Sequence, residues 1–341
     1  MGAGRAWREN PSATIRDARG SSGLDPTAVA DSSQRLDNPA EPPKRREGML
    51  ASDRLGSCRL LNRRPSPEWI TTAGSSKHRR KDMTKYIFET NAIDREWKRL
   101  RMIEEAVDAE TITLLERAGL DIGGRCLEIG AGAGSIVGWM AARVGASGLV
   151  IAVDKRTTYL QRFQGGSVRV IEGDLKDVPL DHSVDLAHAR YLLIHNADDG
   201  ELLAKIRSAV KPGGMVILEE PDFTSAALLQ PEGDAAVRRV NGAICKMFTD
   251  AGLDPAYGLK LPQKVEEAGF DLAHTESRLH LRAGGTPIAR VMAESAEVLR
   301  EEYTKTGLAT DEDVDHYVAR AHDPRVWSVF YATVSVVAHR G

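Results

Sequence analysis

The spacing of apolar positions changes several times along residues 93–220. From 93 to 120, apolar residues recur at helical spacing, which predicts one or two amphipathic helices. Short apolar runs then alternate with helical segments. The runs predict strands at 125–129, 149–153, 168–171, 184–187 and 215–218, with helices at 135–144, 157–163 and 200–210. Short apolar strands separated by helices predict an α/β fold with a doubly wound, mostly parallel sheet covered on both faces.

The alternation becomes less regular beyond residue 221. The pattern there predicts helices at 235–248, 262–268, 287–303 and 311–321, and strands at 271–281 and 327–339, which complete a seven-stranded sheet. Two helical insertions, at about 222–269 and 284–323, therefore follow the carboxyl ends of the late strands. Ligands bind at that edge of open α/β sheets, so we predict that the insertions form a substrate lid.

Charge divides the chain near residue 82. Residues 1–82 hold 16 Lys and Arg against 10 Asp and Glu, whereas the rest holds 30 against 39. The first segment also carries seven of the fifteen prolines and little apolar periodicity, which is typical of disorder. We predict a disordered, dispensable basic tail over 1–82 and a folded domain over 83–341 that begins with Met83.

Composition excludes several classes of protein. No apolar run approaches the roughly 18 residues of a membrane span, and the three cysteines are too widely spaced for a zinc site or a disulfide framework. A net charge of −3 gives no general affinity for nucleic acid. The expected protein is cytoplasmic, without a metal, and acts on a small molecule; homodimer formation is left open.

A glycine-rich turn follows the first predicted strand. It contains Gly130, Gly132 and Gly134, and it opens a helix, whose N-terminus favours negative charge. A dinucleotide fingerprint counted from Gly130 requires glycine at position 135, where this chain has Ser135. A nicotinamide-dependent oxidoreductase is therefore disfavoured. Glu128, two residues before the first glycine, is expected near a positively charged group of the ligand.

Two further carboxylates lie where predicted strands end. Asp154 follows the second strand and is placed to accept hydrogen bonds from both ribose hydroxyls. Asp174 follows the third strand and is placed to accept one from an exocyclic amine. A ligand with an amino group, a ribose and an adenine, but no phosphate, is S-adenosylmethionine.

Motif order and spacing over residues 90–225 resemble the class I S-adenosylmethionine-dependent methyltransferases. The resemblance is strongest to the bacterial small-molecule branch, which includes ubiquinone/menaquinone-biosynthesis C-methyltransferases and natural-product methyltransferases. It implies S-adenosylmethionine as cofactor and S-adenosylhomocysteine as product. The cofactor-binding residues that it implies are Glu128, Gly130, Ala131, Gly132 and Gly134 for the methionine portion, Asp154 and Lys155 for the ribose, Asp174 and Leu175 for the adenine, and Arg190 in the fourth motif, 185–191.

Methyl transfer from a sulfonium is an in-line displacement, which needs alignment more than acid–base catalysis. An acceptor that must lose a proton needs a base, and His195, on the loop after the fourth strand, is our candidate. Trp97 and Arg101 fit an ordinary amphipathic helix face at least as well as a ligand contact, and they are left out of the predicted site.

Transfer to O, N or C of the acceptor stays open. The end of the fourth strand lacks the Asn-Pro-Pro-Tyr type of tetrad found in enzymes that methylate amino groups of bases, which favours a small acceptor. Alternative hypotheses are a cofactor-binding regulator or scaffold without turnover, the oxidoreductase, and an RNA methyltransferase aided by the basic tail.

Overall fold

A computed structural model describes residues 93–180, 183–230 and 234–341. All of these belong to one compact unit, and residues 12–79 lie outside the described residues. The predicted disordered tail over 1–82 and the start at Met83 also lie outside them, so both stay predictions.

Seven strands form one sheet in the order β3-β2-β1-β4-β5-β7-β6. The first five strands are parallel, and β7 runs antiparallel between β5 and β6. The strands are β1 (Arg125–Ile129), β2 (Leu149–Asp154), β3 (Val168–Glu172), β4 (Val184–Arg190), β5 (Val210–Asp222), β6 (Phe270–Ala283) and β7 (Trp327–Arg340). The predicted doubly wound, mostly parallel sheet is confirmed.

Helices cover both faces of this sheet. They are α1 (Ile93–Arg117), α2 (Ser135–Val144), α3 (Asp199–Ala209), α4 (Thr224–Leu228), α5 (Ala235–Asp250), α6 (Tyr257–Glu267), α7 (Pro287–Val298), α8 (Arg300–Lys305) and α9 (Asp311–His322). Helix α7 packs against α1 and α9, and α5 also packs against α9. Within the described ranges, no helix has both the length and the apolar character needed to cross a bilayer.

The two faces of the sheet have separate apolar cores. Leu127 and Ile129 of β1 pack into the larger core, together with buried residues of α3, α5, α7 and α9. Cys126 of the same strand points the other way and packs with buried residues of α2. Successive side chains of a strand point to opposite faces, so one short apolar strand supports both layers.

Several elements differ from the sequence prediction, among them the following. The helix predicted at 157–163 is only a 3-10 turn, Gln161–Phe163. The helix predicted at 287–303 is interrupted at Leu299 and forms α7 and α8. Strand β5 runs from Val210 to Asp222 and is therefore longer at both ends than the strand predicted at 215–218. Helix α4 was not predicted, because its five residues are too few to show a helical period.

Candidate functional site

A cavity of about 430 Å³ lies at the carboxyl ends of β1, β2 and β4. This volume is within the range of small-molecule and cofactor sites. The cavity is lined on one side by the glycine-rich turn and the strand ends, and on the other by α1, α5 and α7. Of the predicted site residues, those that line it are Glu128, Gly130, Ala131, Gly132, Asp154, Lys155, Asp174, Leu175, Arg190 and His195.

Gly134 is the predicted cofactor residue that does not line the cavity. It precedes α2 with a φ of 91°, and a Cβ added there would lie 2.6 Å from Cε2 of Phe163 and 2.9 Å from Cδ2 of Leu160. The residue therefore lets the helix start pack tightly against the turn that follows β2.

Asp154 fastens the glycine-rich turn to the end of β2. Its Oδ2 accepts a hydrogen bond from the backbone N–H of Gly132 at 2.9 Å, and its Oδ1 accepts one from Arg156 at 2.9 Å. Burial raises the pKa of Asp154, and these two N–H donors oppose the increase. The two hydrogen bonds therefore fix the orientation of this carboxylate, which forms part of the cavity lining.

Asp174 and Lys155 form an ion pair at the neighbouring strand end, with Nζ of Lys155 2.9 Å from Oδ2 of Asp174. Partial burial disfavours the charged carboxylate, but Lys155 and the backbone N–H of Lys176 outweigh it and lower the pKa of Asp174. The pair gives the cavity a carboxylate whose charge is balanced.

Glu128, His188 and Glu219 form a row below the glycine-rich turn. Nδ1 of His188 lies 2.7 Å from Oε2 of Glu128, and Nε2 lies 3.2 Å from Oε1 of Glu219. All three residues are buried. Burial disfavours the charged carboxylate of Glu219, but His188 lowers its pKa. The row is therefore a buried cation between two carboxylates, of which Glu128 reaches the cavity.

Arg190 extends this network towards α1. Its Nη1 donates to Oγ1 of Thr111 at 2.7 Å, and its Nη2 donates to Oδ1 of Asp108 at 2.9 Å. Thr111 in turn donates to Oε1 of Glu219 at 2.5 Å. Arg190 therefore holds α1 against β4 as well as lining the cavity.

His195 lies on the 3-10 turn after β4 and forms part of the cavity wall. Its ring stacks on Phe248 of α5 at a centroid distance of 6.1 Å. Burial, together with the charge of Arg99, lowers the pKa of His195 to about 4, so the imidazole is neutral at pH 7.

Glu220 shapes the turn that carries His195. Its Oε1 accepts backbone N–H groups from Leu192 at 3.0 Å and Leu193 at 2.7 Å, and its Oε2 accepts one from Ile194 at 3.1 Å. A single buried carboxylate thus replaces a helix cap and sets the direction in which His195 points.

The opposite wall is aromatic, and sequence reasoning missed it. Phe223 lies between Phe248 and Tyr331, with centroid distances of 5.2 and 5.7 Å, and Tyr191 meets Tyr331 edge to face at 6.0 Å. These rings come from the end of β4, the end of β5, α5 and β7. These positions are far apart in the chain, so no local sequence pattern predicts that their rings form one wall.

Helix α1 closes the cavity over the glycine-rich turn. Its Glu104 accepts the backbone N–H of Ser135 at 2.8 Å, and Leu100 lies 3.5 Å from the place of a Cβ on Gly132. Trp97 and Arg101, assigned to an amphipathic face, do not line the cavity. Residues on the adjacent face of α1 line the cavity instead, and they were not among the predicted site residues.

Among the residues that the structure describes, no cluster of three His, Cys, Asp or Glu side chains is arranged to hold a metal ion. The polar groups that line the cavity include carboxylates, backbone amides, an imidazole and phenols.

Comparison with known proteins identifies the domain. A family model described as a methyltransferase domain matches residues 127–218. Methyltransferase str2 of Strobilurus tenacellus is 27% identical over 214 residues, covering 60% of this chain and 72% of the relative. The ubiquinone/menaquinone biosynthesis C-methyltransferase UbiE of Idiomarina loihiensis is 30% identical over 126 residues, covering 34% and 50%.

A third relative is an uncharacterized 37.1 kDa protein in a transposon of Streptomyces fradiae, 30% identical over 155 residues and covering 43% of this chain and 44% of the relative. The matches thus span about half the length of two of the three relatives.

Solved structures with a related fold include phosphoethanolamine N-methyltransferase 2 of Haemonchus contortus in complex with S-adenosyl-L-methionine, at 16% identity and a TM-score of 0.49, covering 76% of this chain and 60% of that one. A methyltransferase of Aquifex aeolicus matches at 14% identity and a TM-score of 0.41, covering 72% and 98%.

The matched domain begins within β1 and ends within β5, so it contains the glycine-rich turn and both strand-end carboxylates that surround the cavity. Residues 127–218 of this chain therefore form a methyltransferase domain, and S-adenosylmethionine is the cofactor of this domain.

Proposed function

We propose that this protein transfers the methyl group of S-adenosylmethionine to a small-molecule acceptor. One observation carries the proposal: a single cavity joins a polar floor at the strand ends to an aromatic wall. The cofactor supplies an electrophilic methyl group on its sulfonium. The chain has to align the attacking atom with that methyl group and exclude water, and an enclosed apolar wall beside a polar floor serves both purposes.

The polar floor fits the cofactor in charge and shape. In the proposal, Glu128 receives the amino group of the methionine portion, and the backbone of Gly130, Ala131 and Gly132 lies along it. Glu128 is buried and held by His188, so its carboxylate is oriented before the ligand arrives. Gly134 contributes by allowing the tight start of α2.

Asp154 is proposed to accept the ribose hydroxyls. Each of its oxygens already accepts one backbone N–H and keeps a lone pair for a further donor. Asp174 and Leu175 are proposed to contact the adenine, with Lys155 balancing the charge of Asp174.

His195 is proposed to accept the proton of an acceptor that must be deprotonated. Its imidazole is neutral and lies in the cavity wall, as a general base requires. Arg190 is proposed to complete the cofactor side of the cavity through its position at the end of β4.

The insertions after β5 and β6 are proposed to select the acceptor. Phe248 of α5 and Met292 of α7 line the cavity from these insertions, so their sequences decide what fits. The name of one relative, a C-methyltransferase of ubiquinone/menaquinone biosynthesis, supports a small-molecule acceptor. A quinone-like or secondary-metabolite acceptor, methylation at O, N or C, and a cytoplasmic location are parts of this proposal.

Calorimetric titration of the full chain with S-adenosylmethionine and then S-adenosylhomocysteine tests cofactor binding. Formation of S-adenosylhomocysteine with a panel of phenols, quinols and amines then tests turnover. Micromolar-range binding with turnover supports the proposal. Binding without turnover of any panel member favours the alternative of a regulator or scaffold. Failure of the folded chain to bind either ligand contradicts the proposal that the cavity is the cofactor site.

A further inference from the structure

A chain of hydrogen-bonding side chains lies behind the aromatic wall and ends in the cavity. Oη of Tyr191 is 2.6 Å from Oγ1 of Thr333, which is 2.8 Å from Nε2 of His280. Oη of Tyr191 also lies 3.4 Å from Oη of Tyr331. Both tyrosines line the cavity, whereas His280 is buried in the sheet with 2% of its surface exposed.

The sheet and one unusual residue build this chain. Tyr331 and Thr333 are two positions apart on β7 and so point to the same face, next to His280 on the adjacent strand β6. Tyr191 follows β4 with a φ of 55°, a left-handed conformation that is rare for a bulky side chain. Its hydroxyl is therefore placed by the backbone as well as by Thr333.

The environment of His280 defines its proton. Burial, with the charges of Arg282 and Arg278 on the same strand, lowers the pKa of His280 to about 4, so the ring carries one proton at pH 7. Within the described residues its Nδ1 is buried and has no hydrogen-bond partner. Buried N–H groups without a partner are rarer than buried acceptors without one. The proton therefore belongs on Nε2, facing Thr333.

This tautomer sets the direction in which protons are donated along the hydrogen bonds from His280 to Tyr191. Nε2–H of His280 donates to Oγ1 of Thr333. Among the described residues, Oη of Tyr191 is the remaining hydrogen-bond partner of that hydroxyl, so the proton of Thr333 is directed at Tyr191. The hydroxyl proton of Tyr191 is then left for Tyr331, across 3.4 Å. That distance exceeds the usual 2.5–3.0 Å of an O–H···O hydrogen bond, so an oxygen in the cavity at normal distance competes well for this donor.

We propose that Tyr191 and Tyr331 together bind an oxygen of the methyl acceptor, which is a carbonyl, carboxylate or enolate oxygen. This rests on the proposed function and deepens it by naming the acceptor's chemical class. Without an acceptor, Tyr331 accepts from Tyr191. When Tyr191 donates to the acceptor oxygen instead, the hydroxyl of Tyr331 supplies the second donor. The positive charge of Arg190 acts on both phenols and favours an electron-rich oxygen there. Thr333 and His280 act through Tyr191 and are positioning residues.

The first test reads the tautomer directly. Long-range ¹H–¹⁵N NMR of the full chain labelled with ¹⁵N-histidine, with His280 assigned by His280→Gln, shows which ring nitrogen carries the proton at pH 7. We expect the proton on Nε2. A proton on Nδ1 reverses the chain, leaves Tyr191 without a proton to donate into the cavity, and overturns the proposal. Neither result depends on cofactor or turnover, so the methyltransferase proposal stands or falls separately.

The second test measures recognition of an oxygen. The probes are acetophenone and α-methylstyrene, which differ in having a carbonyl oxygen or a CH₂ group, and each is titrated by NMR into the chain saturated with S-adenosylhomocysteine. Tyr191→Phe should weaken acetophenone about three- to tenfold, because one hydrogen bond is lost, and leave α-methylstyrene unchanged.

Thr333→Val should weaken acetophenone in the same direction, since Tyr191 loses the partner that orients it. Tyr317→Phe is the matched control, because this buried tyrosine of α9 lies outside the cavity lining and should leave both affinities unchanged. Equal behaviour of the two probes in wild type and Tyr191→Phe, including failure of both to bind, overturns the proposal.

Discussion

Nδ1 of His188 lies 2.7 Å from Oε2 of Glu128, one strand away in the same register of the sheet. On its other side, Nε2 lies 3.2 Å from Glu219. Burial disfavours a charge on the ring, but the two carboxylates outweigh burial and raise the pKa of His188 to about 9. The carboxylate that faces the cavity is thus held by a buried imidazolium, and the orientation of Glu128 depends on a residue outside the cavity lining.

Replacing His188 with glutamine leaves two buried carboxylates without their shared cation. We expect a loss of about 3–5 kcal/mol in unfolding free energy at pH 6, measured by urea denaturation. The folded pKa of His188 exceeds its unfolded value of about 6.5, so its contribution is complete below that pH and is lost as pH rises through about 9.

The difference in stability between wild type and His188→Gln should therefore narrow from pH 6.5 to 9. His322→Gln is the control, because this histidine of α9 is exposed to solvent and lines no part of the cavity. A difference that stays constant across this range would contradict an imidazolium at His188.

Asp154→Ala should lose cofactor affinity through two effects. The variant removes the proposed acceptor of the ribose hydroxyls and also releases the N–H of Gly132, which fixes the glycine-rich turn. Hydrogen bonds to a charged group contribute about 1.5–3 kcal/mol each, so calorimetry should show affinity for S-adenosylmethionine reduced by at least tenfold.

Asp177→Ala is the matched control for Asp154→Ala. Asp177 is an exposed carboxylate on the loop after β3 and does not line the cavity. Its replacement removes one negative charge, as Asp154→Ala does, but leaves the glycine-rich turn intact. Equal affinities of the two variants for S-adenosylmethionine would remove Asp154 from the cofactor site.

The sequence predicted the parts of the fold that depend on local pattern. The bounds of β1 and α2 agree with the prediction because each is a short apolar run closed by glycines. Alternation along β4 puts His188 and Arg190 on one face of the sheet, where both lie near Glu219, while Ala187 packs into the core on the opposite face.

The aromatic wall and the lid bounds depend on tertiary contacts that no short window contains. Phe223, Phe248 and Tyr331 are separated by 25 and 83 positions in the chain, and only the sheet brings them together. The interruption at Leu299 was missed for a related reason, since its apolar neighbours keep a helical period through the break. Local pattern identified the strand-end residues that line the cavity, whereas the aromatic wall could be identified only from the fold.

His195→Gln should reduce kcat by about 10²–10⁴-fold if His195 accepts the acceptor's proton, with little change in affinity for the cofactor. Since its pKa is lowered to about 4, the imidazole stays neutral well below pH 6.5, and the acid limb of the wild-type kcat profile should appear near pH 4–5. Retention of kcat in His195→Gln would remove His195 as the base.

The same pKa shift predicts an effect on stability that needs no acceptor. The folded pKa of His195 is below its unfolded value of about 6.5, so protonation favours the unfolded chain and its contribution is lost as pH falls from 6.5 towards 4. His195→Gln should lose less stability than wild type over this range in urea denaturation. An identical acid dependence of the two proteins would contradict a neutral buried imidazole.

Gly134→Ala separates steric contact from backbone strain when it is compared with Gly119→Ala. Both glycines have positive φ, 91° and 75°, so alanine is strained at either position by about 1 kcal/mol. A Cβ on Gly119 meets nothing within 4 Å, whereas one on Gly134 would lie 2.6 Å from Phe163. Gly134→Ala must therefore also displace that ring, and overpacking of this kind costs about 1–3 kcal/mol more.

We expect the larger loss of unfolding free energy in Gly134→Ala, together with weaker binding of S-adenosylmethionine, because a shift at the start of α2 moves the glycine-rich turn. Equal losses in the two variants would show that Phe163 yields without cost and that Gly134 serves the turn through its backbone conformation alone.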